Sequence, residues 1–150
     1  MHSLSWSATY AVYALNFLKC GNGRTITLKE IAKSRNIPDG FLSKIMQVLR
    51  KNGFVHSIRG KGFTLAKAPR EVTLYDVIHL VDGDIVHEGE CLMKSNICAR
   101  TCPVKSNCPV AVFCDETQRR EKQFLSQMSL DQLPSNDGEP TCLSWRKSTL

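Results

Sequence analysis

Apolar residues recur at helical spacing over the first twenty residues of the chain. Between residues 4 and 19 they stand three or four positions apart, which places them on one side of a helix. They are Leu4, Ala8, Ala11, Val12, Ala14, Leu15 and Leu18. Gly21 and Gly23 follow, and glycine is typical of a helix end. The pattern predicts an amphipathic helix over residues 4–19.

Two more helices are predicted directly after the first. Thr27 and Glu30 have the spacing of a capping box, in which two side chains satisfy the free N–H groups of a helix start. The turn at residues 37–40 leads into a longer helix that is expected to end near Asn52. Its predicted buried face comprises Phe41, Leu42, Ile45, Val48 and Leu49. Two short helices joined in this way form a helix-turn-helix arrangement.

The segment FVHSIRGKGFTLA predicts a β-hairpin after the helix-turn-helix. Two short β-prone runs flank the sequence RGKG, whose glycines permit a tight turn. A hairpin in this place is a wing, and its basic tip residues Arg59 and Lys61 are placed to meet DNA phosphates or to enter a minor groove. A fourth helix is expected after it, with Thr73 as its cap and Gly83 as its end.

The second half of the chain divides into three further parts. Residues 84–109 are rich in Gly, Asn, Ser, Cys and Pro and show no sustained period, which is typical of functional loops or disorder. A helical pattern returns from Val110 to about Met128, and its charged middle favours a dimerisation helix over residues 110–133. Residues 134–150 are expected to form a flexible tail. The predicted fold class is mainly α with a small β-hairpin wing, and residues 1–83 form the DNA-binding region.

Composition and charge narrow the class of protein. The 150 residues carry a formal net charge of +6, which favours a polyanionic partner. The sequence has no run of eighteen apolar residues, which argues against a membrane-spanning helix. Its first residues lack a basic leader and a clear cleavage site, so we expect a cytoplasmic protein. In that compartment the seven cysteines are expected to be reduced thiols or metal ligands and not disulfides.

Five of the seven cysteines lie between residues 91 and 114, and proline follows two of them. Closely spaced thiolates suit a soft metal centre such as an iron–sulphur cluster or zinc. Structural zinc sites usually contain two short Cys pairs, and only Cys98 and Cys102 form one here. Free thiols and a disulfide switch among Cys91, Cys98 and Cys102 remain alternatives.

The longer helix also carries polar residues off its buried face. Ser43, Lys44 and Gln47 lie largely outside the apolar stripe, and Asp39 stands at the start of the helix. Lysine pairs with guanine acceptors and glutamine with adenine, so Lys44 and Gln47 are candidate base contacts. By themselves these residues are more typical of a solvated helix face than of a DNA contact.

Three phrases of the sequence resemble the Rrf2 family of winged-helix transcription regulators. They are YAVYAL, TLKEIAKSRNIPDGFLSKIMQVLRKNGFVHSIRG and GFTLAKAPREVTLYDVIHLVDG, and the resemblance covers roughly residues 3–133. It implies a homodimer whose long C-terminal helices cross, with palindromic promoter DNA as the partner. Many members hold a two-iron or four-iron cluster through three cysteines in the loop before that helix. The resemblance thus makes Asp39, Ser43, Lys44, Gln47, Arg59 and Lys61 the candidate DNA contacts.

The chain departs from the family pattern in ways that affect both sites. The wing is about two residues shorter than usual, and the start of the first helix lacks the usual basic residue. The spacing of Cys102 and Cys108 matches the last two family ligands, while the first is Cys91 or Cys98. The histidine that serves some members as a fourth ligand is Ala111 here, and the acidic residue that serves others is Thr9.

The fourth ligand is therefore open among Cys98, Glu90, Cys114 and an exogenous group. Thiolate outcompetes carboxylate for iron, which favours Cys98. The resulting candidate metal ligands are Cys91, Cys98, Cys102 and Cys108.

These observations predict a dimeric DNA-binding regulator that senses redox state, nitric oxide or iron–sulphur status through a cysteine-ligated cluster. One alternative is a regulator of the same family without a cluster, in which thiols, zinc or a protein partner supply the signal. Another is a redox or electron-transfer domain. Nothing in the sequence resembles a catalytic constellation or a substrate pocket, so we expect neither an enzyme nor a small-molecule substrate.

Overall fold

Helices dominate the computed structural model, which describes residues 4–83 and 108–134. The five α-helices and one antiparallel β-hairpin are α1 (Trp6–Cys20), α2 (Leu28–Arg35), α3 (Asp39–Lys51), β1 (Val55–Ile58), β2 (Gly62–Leu65), α4 (Leu74–Asp82) and α5 (Pro109–Gln127). Single 3₁₀ turns lie at Pro69–Glu71 and Leu130–Gln132. The predicted fold class, mainly α with a hairpin wing and a C-terminal helix, is confirmed.

Side-chain caps fix where the helices begin. In α2 the Thr27 N–H donates to Glu30 at 2.8 Å and the Glu30 N–H donates to the Thr27 hydroxyl at 3.3 Å, which is the predicted capping box. The Thr27 N–H lowers the pKa of the Glu30 carboxyl below its ordinary value, and the Thr27 hydroxyl adds to the effect. Thr73 caps α4 in the same way with Asp76, and Gly83 ends that helix as predicted.

The core lies where α1, α2, α3 and the hairpin meet. Its fully buried large side chains include Leu15, Ile26, Ile31, Leu42, Met46, Leu49 and Val55. Full burial of one such side chain contributes roughly 1.5–3 kcal/mol.

The prediction that Phe41 and Val48 belong to the buried face of α3 is wrong. Each side chain is 38% exposed, whereas Met46, which the sequence pattern left out, is fully buried. At 100° per residue, the buried arc of α3 is centred between Ile45 and Met46, and Phe41 and Val48 stand beyond one edge of it.

The hairpin is joined to the segment before α2. Val55 pairs with Leu65 and Ile58 with Gly62, which leaves a three-residue tip. Phe63 exchanges two backbone hydrogen bonds with Ile26, at 2.8 and 3.0 Å, so the wing is anchored on a third extended segment.

The end of α5 and the segment after it pack back onto the start of the fold. Leu125 lies in a small apolar cluster with Ala8 of α1 and Ile78 of α4. The Leu74 N–H donates to Met128 O and the Leu130 N–H to Val72 O, each at 2.8 Å. The chain after α5 is therefore tied to the segment that leads into α4.

Several predictions fall on residues that the structure does not describe. The cysteines Cys91, Cys98 and Cys102, most of the loop at 84–109, and nearly all of the tail at 134–150 lie outside the described residues. Within residues 4–83 and 108–134, no helix is both long enough and apolar enough to cross a membrane.

Replacing Gly62 with alanine is expected to destabilise the fold. Its φ of +122° is disfavoured for other residues, and an added Cβ would lie 2.3 Å from the Ile26 carbonyl oxygen. Gly60 is the matched control, since it has a φ of +74° with nothing within 4 Å of an added Cβ. Urea unfolding should show a loss of about 1 kcal/mol for Gly60→Ala and of roughly 2–4 kcal/mol for Gly62→Ala. Equal losses would contradict the close approach to Ile26.

Candidate nucleic-acid interface and cysteine centre

The outer face of α3 is polar and basic. Lys44, Gln47 and Lys51 fall within about 60° of one another, on the side of the helix opposite its buried arc. Asp39 and Ser43 lie on one flank of this face. All of these side chains are exposed except that of Ser43, which is half-exposed. The structure thus places the four α3 residues singled out by the sequence on or beside a single accessible surface.

The wing tip presents the other two candidate contacts. The Lys61 backbone N–H donates to Ile58 O at 2.9 Å and closes the turn, while Gly60 takes a positive φ. Arg59 and Lys61 are both exposed. Within the described residues, none of the six candidate DNA contacts forms a hydrogen bond or an ion pair through its side chain.

A fixed geometry joins α3 to the wing. The Phe54 N–H donates to Leu49 O at 2.9 Å, and Gly53 takes a φ of +73° at this corner. Val55, the first residue of β1, is buried in the core. The helix and the hairpin therefore share one apolar support and cannot move independently without exposing it.

Positive charge is concentrated on these elements. α3 carries Lys44, Arg50 and Lys51 against the single carboxylate of Asp39, and the wing tip adds two more basic residues. α2 contributes exposed Lys29 and Lys33. Such a surface attracts a polyanion such as the DNA backbone.

Cys108 is the one candidate metal ligand within the described residues. It is the N-cap of α5, its side chain is half-exposed, and it makes no side-chain capping bond. Pro109 follows at the first helical position. A helix N-terminus stabilises negative charge, so a metal-bound thiolate suits this position. Among the described residues, no group of three or more potential ligands comes together.

The structure disfavours Cys114 as a ligand beside Cys108. Six residues along α5 correspond to a rise of about 9 Å and a difference in direction of about 120°. Cys114 is also buried. Of the alternatives for a fourth ligand, Cys98 and Glu90 lie outside the described residues.

One hydrogen bond connects the end of α4 with the start of α1. The Ser5 hydroxyl donates to Asp82 Oδ1 at 2.5 Å and also accepts from the Ala8 N–H, so the α1 cap is shared with the residue that ends α4. The first described part of the chain ends at the next residue, Gly83, and the cysteine-rich segment at residues 84–109 follows it. Helical periodicity contains no signal for this bond, because its two residues are 77 positions apart.

Comparison with known proteins agrees with this arrangement. The family described as "Rrf2: Iron-dependent Transcriptional regulator" matches residues 4–136. The chain belongs to the Rrf2 family. The resemblance inferred from the sequence is thereby confirmed, and the family is one of transcriptional regulators and not of enzymes, as predicted.

Relatives of this Rrf2 chain are named as regulators of the helix-turn-helix type. A putative regulator of Aquifex aeolicus is 40% identical over 92 residues, which are 60% of this chain and 63% of that protein. CymR of Bacillus subtilis is 38% identical over 69 residues, 45% of this chain and 49% of the relative. The chain thus spans about half to two thirds of the length of these relatives.

Solved structures confirm the fold over most of the chain. The structure of CymR, the global cysteine regulator of B. subtilis, covers 87% of this chain and 94% of its own, with a TM-score of 0.68 and 24% identity. IscR of T. potens covers 87% of this chain and 84% of its own, with a TM-score of 0.62 and 23% identity. At these identities the likeness establishes the fold.

Proposed function

We propose that this chain is a homodimeric transcription regulator that binds double-stranded promoter DNA in the cytoplasm and senses its signal through an iron–sulphur cluster. The observation that carries the DNA-binding part is the outer face of α3, which is exposed and basic and is followed in the chain by an anchored basic wing. α3 enters the major groove, where Lys44 and Gln47 contact base edges and Asp39 and Ser43 lie near its N-terminal end. Arg59 and Lys61 contact phosphates or a minor groove beside it.

A second copy of the chain covers one side of α5. Val110, Phe113 and Phe124 fall within about 60° of one another on this helix. They are 46%, 69% and 60% exposed, whereas Cys114, Gln118 and Leu125 face inward. Large apolar side chains that share an exposed face favour a protein interface. The assignment of residues 110–133 as the dimerisation helix rests on this face.

Cys91, Cys98, Cys102 and Cys108 would hold a two-iron or four-iron cluster. The support is the density of cysteines, the position of Cys108 at a helix start, and a family description that names iron dependence. Bound there, the cluster would supply a centre that responds to oxidation, nitric oxide or iron supply. Zinc held by the same thiolates is the alternative metal.

The signal would reach the DNA-binding elements through packed helices. α4 ends at Asp82, next to the cysteine-rich segment, and is tied to α1 by the Ser5 hydrogen bond. α1 packs against both α4 and α3. A useful switch needs a coupling free energy of about 1–3 kcal/mol, which a few altered contacts of this kind can supply.

Replacing the basic wing residues is expected to weaken DNA binding without changing the preferred sequence. A duplex would be selected from a random library with the purified protein, and its affinity measured over a range of salt concentrations. Arg59→Ala with Lys61→Ala should reduce the dependence of log affinity on log salt by about one unit for each phosphate that the variant no longer touches. Gln47→Ala should leave that slope unchanged and lower discrimination at one base pair by about 1–3 kcal/mol.

Arg119→Ala with Lys122→Ala removes two exposed basic side chains from α5 and is the matched control for the change in net charge. A wing variant that behaves like this α5 variant would contradict the assignment of the wing as a DNA contact.

Replacing an exposed phenylalanine of α5 with a charged residue is expected to dissociate the dimer. Phe113→Glu and Phe124→Glu would each place an unpaired carboxylate in an apolar interface, which costs several kcal/mol. Light scattering coupled to gel filtration should show the mass of one chain for both variants. Gln123→Glu changes an exposed polar position of α5 and should leave the mass of two chains. A wild-type protein with the mass of one chain would overturn the proposed dimer.

Reconstitution with iron and sulphide without oxygen is expected to produce a coloured protein. It should contain two or four irons per chain, absorb broadly in the visible range and bind DNA with altered affinity. Cys102→Ala should abolish the colour, while Cys20→Ala, a change at the end of α1, should keep it. If the protein is colourless and contains zinc, the centre is a zinc site and the cluster proposal is wrong. If it is colourless and contains no metal, the result favours a thiol switch or a protein partner as the signal.

A further inference from the structure

Two apolar side chains lie beside the proposed DNA-contacting face of α3 and outside the core. Phe41 and Val48 are seven residues apart, so they point in nearly the same direction, about 20° from each other around the helix. Each is 38% exposed. They stand next to Lys44 around the helix, on the side away from Asp39 and Ser43. α3 thus offers an apolar edge along its polar outer face.

The Phe41 ring is held in place by other aromatic rings. Tyr10 of α1 meets it edge-on, with a centroid distance of 5.7 Å and an interplanar angle of 80°. Tyr10 in turn contacts Trp6 at 5.9 Å. Edge-to-face contacts of this kind stabilise one ring orientation. Phe41 can therefore contact a ligand with little further loss of side-chain freedom.

We propose that Phe41 and Val48 contact thymine methyl groups in the major groove, which makes thymine part of the recognised sequence. This inference rests on the proposed DNA-binding function, in which α3 occupies that groove. The C5-methyl of thymine is the apolar group that base pairs present there, and apolar side chains pack against it. The proposed dimer interface is on α5, whereas Phe41 and Val48 are on α3. The proposed dimer therefore does not explain why these two exposed side chains are apolar.

The spacing of the two side chains limits where the thymines stand. Seven residues of α-helix extend about 10.5 Å along the axis, and successive base pairs are about 3.4 Å apart. The two contacted thymines of a half-site are therefore separated by about three base-pair steps at most.

Replacing single thymines with uracil tests the proposal, because uracil differs only in lacking the methyl group. The probe is the duplex selected from a random library with the full-length protein. In the wild-type protein, uracil at a contacted position should weaken binding about fourfold, the effect expected for one buried methyl group. The effect should appear at one or two positions in each half-site.

The variants Phe41→Ala and Val48→Ala identify which side chain contacts which methyl group. Each should abolish the uracil effect at one position, so that its affinities for thymine and uracil duplexes become equal there. The uracil effect is the ratio of one variant's affinities for the thymine and the uracil duplex. A smaller fraction of folded protein lowers both measured affinities equally and leaves this ratio unchanged. Val112→Ala, a change at an exposed apolar residue of α5 outside the proposed dimer face, is the matched control and should retain every uracil effect.

Selected half-sites without thymine, or uracil effects that persist unchanged in both variants, would overturn the proposal while the DNA-binding function stands. The same holds if uracil has no effect anywhere in the wild-type complex. A wild-type protein that selects no duplex would overturn the DNA-binding function together with this inference.

Discussion

The packing of α1 against its neighbours is the constraint on which the rest of the structure depends. Ala8, Ala11 and Ala14 are fully buried along one side of this helix, together with the larger Leu15 and Leu18. Small side chains let helix axes approach closely, because the distance between packed helices follows the size of the residues at the contact. α1 therefore packs against α3 and α4, and its Ala8 lies in one apolar cluster with Leu125 of α5. A larger residue at any of the three alanines would separate these elements, since the dense core leaves no space for added atoms.

Both ends of the cysteine-rich segment are attached to this framework. The segment begins after α4, whose last residue, Asp82, accepts a hydrogen bond from Ser5, and it ends at Cys108, the N-cap of α5. α4 and α5 pack against each other, and Leu125 and Ile78 lie in one apolar cluster. A chemical change in the segment would therefore act on α4, which packs against α1, and on α5, which packs against α4. This arrangement gives the proposed sensor a short physical route to α3 and requires no separate hinge.

Much of the fold follows from local signals in the sequence, because the decisive interactions lie within a few residues of each other. The capping box at Thr27, the Thr73 cap and the glycine-containing wing tip were predicted and confirmed. Contacts between distant segments were not predictable. Examples are the pairing of Ile26 with Phe63 and the hydrogen bond between Ser5 and Asp82. The candidate DNA contacts of α3 and the wing lie on accessible surfaces as expected. The metal-ligand assignments of Cys91, Cys98 and Cys102 stay predictions, because these residues lie outside the described part of the chain.

The misassignment of Phe41 and Val48 shows why periodicity alone cannot define a binding face. An apolar residue about 40–60° from the edge of a buried arc satisfies the same three- and four-residue spacing as a core residue. What separates the two cases is how far the neighbouring elements reach. α1 and α2 pack against α3, and Tyr10 of α1 contacts the Phe41 ring, yet Phe41 and Val48 are each 38% exposed. The apolar edge formed by Phe41 and Val48 lies outside the buried core, and the Phe41 ring packs against Tyr10. Its presence beside a basic, exposed helix face is explained most simply by a ligand that presents both negative charge and apolar groups. The major groove of DNA, with phosphates at its margins and thymine methyl groups at its floor, is such a ligand.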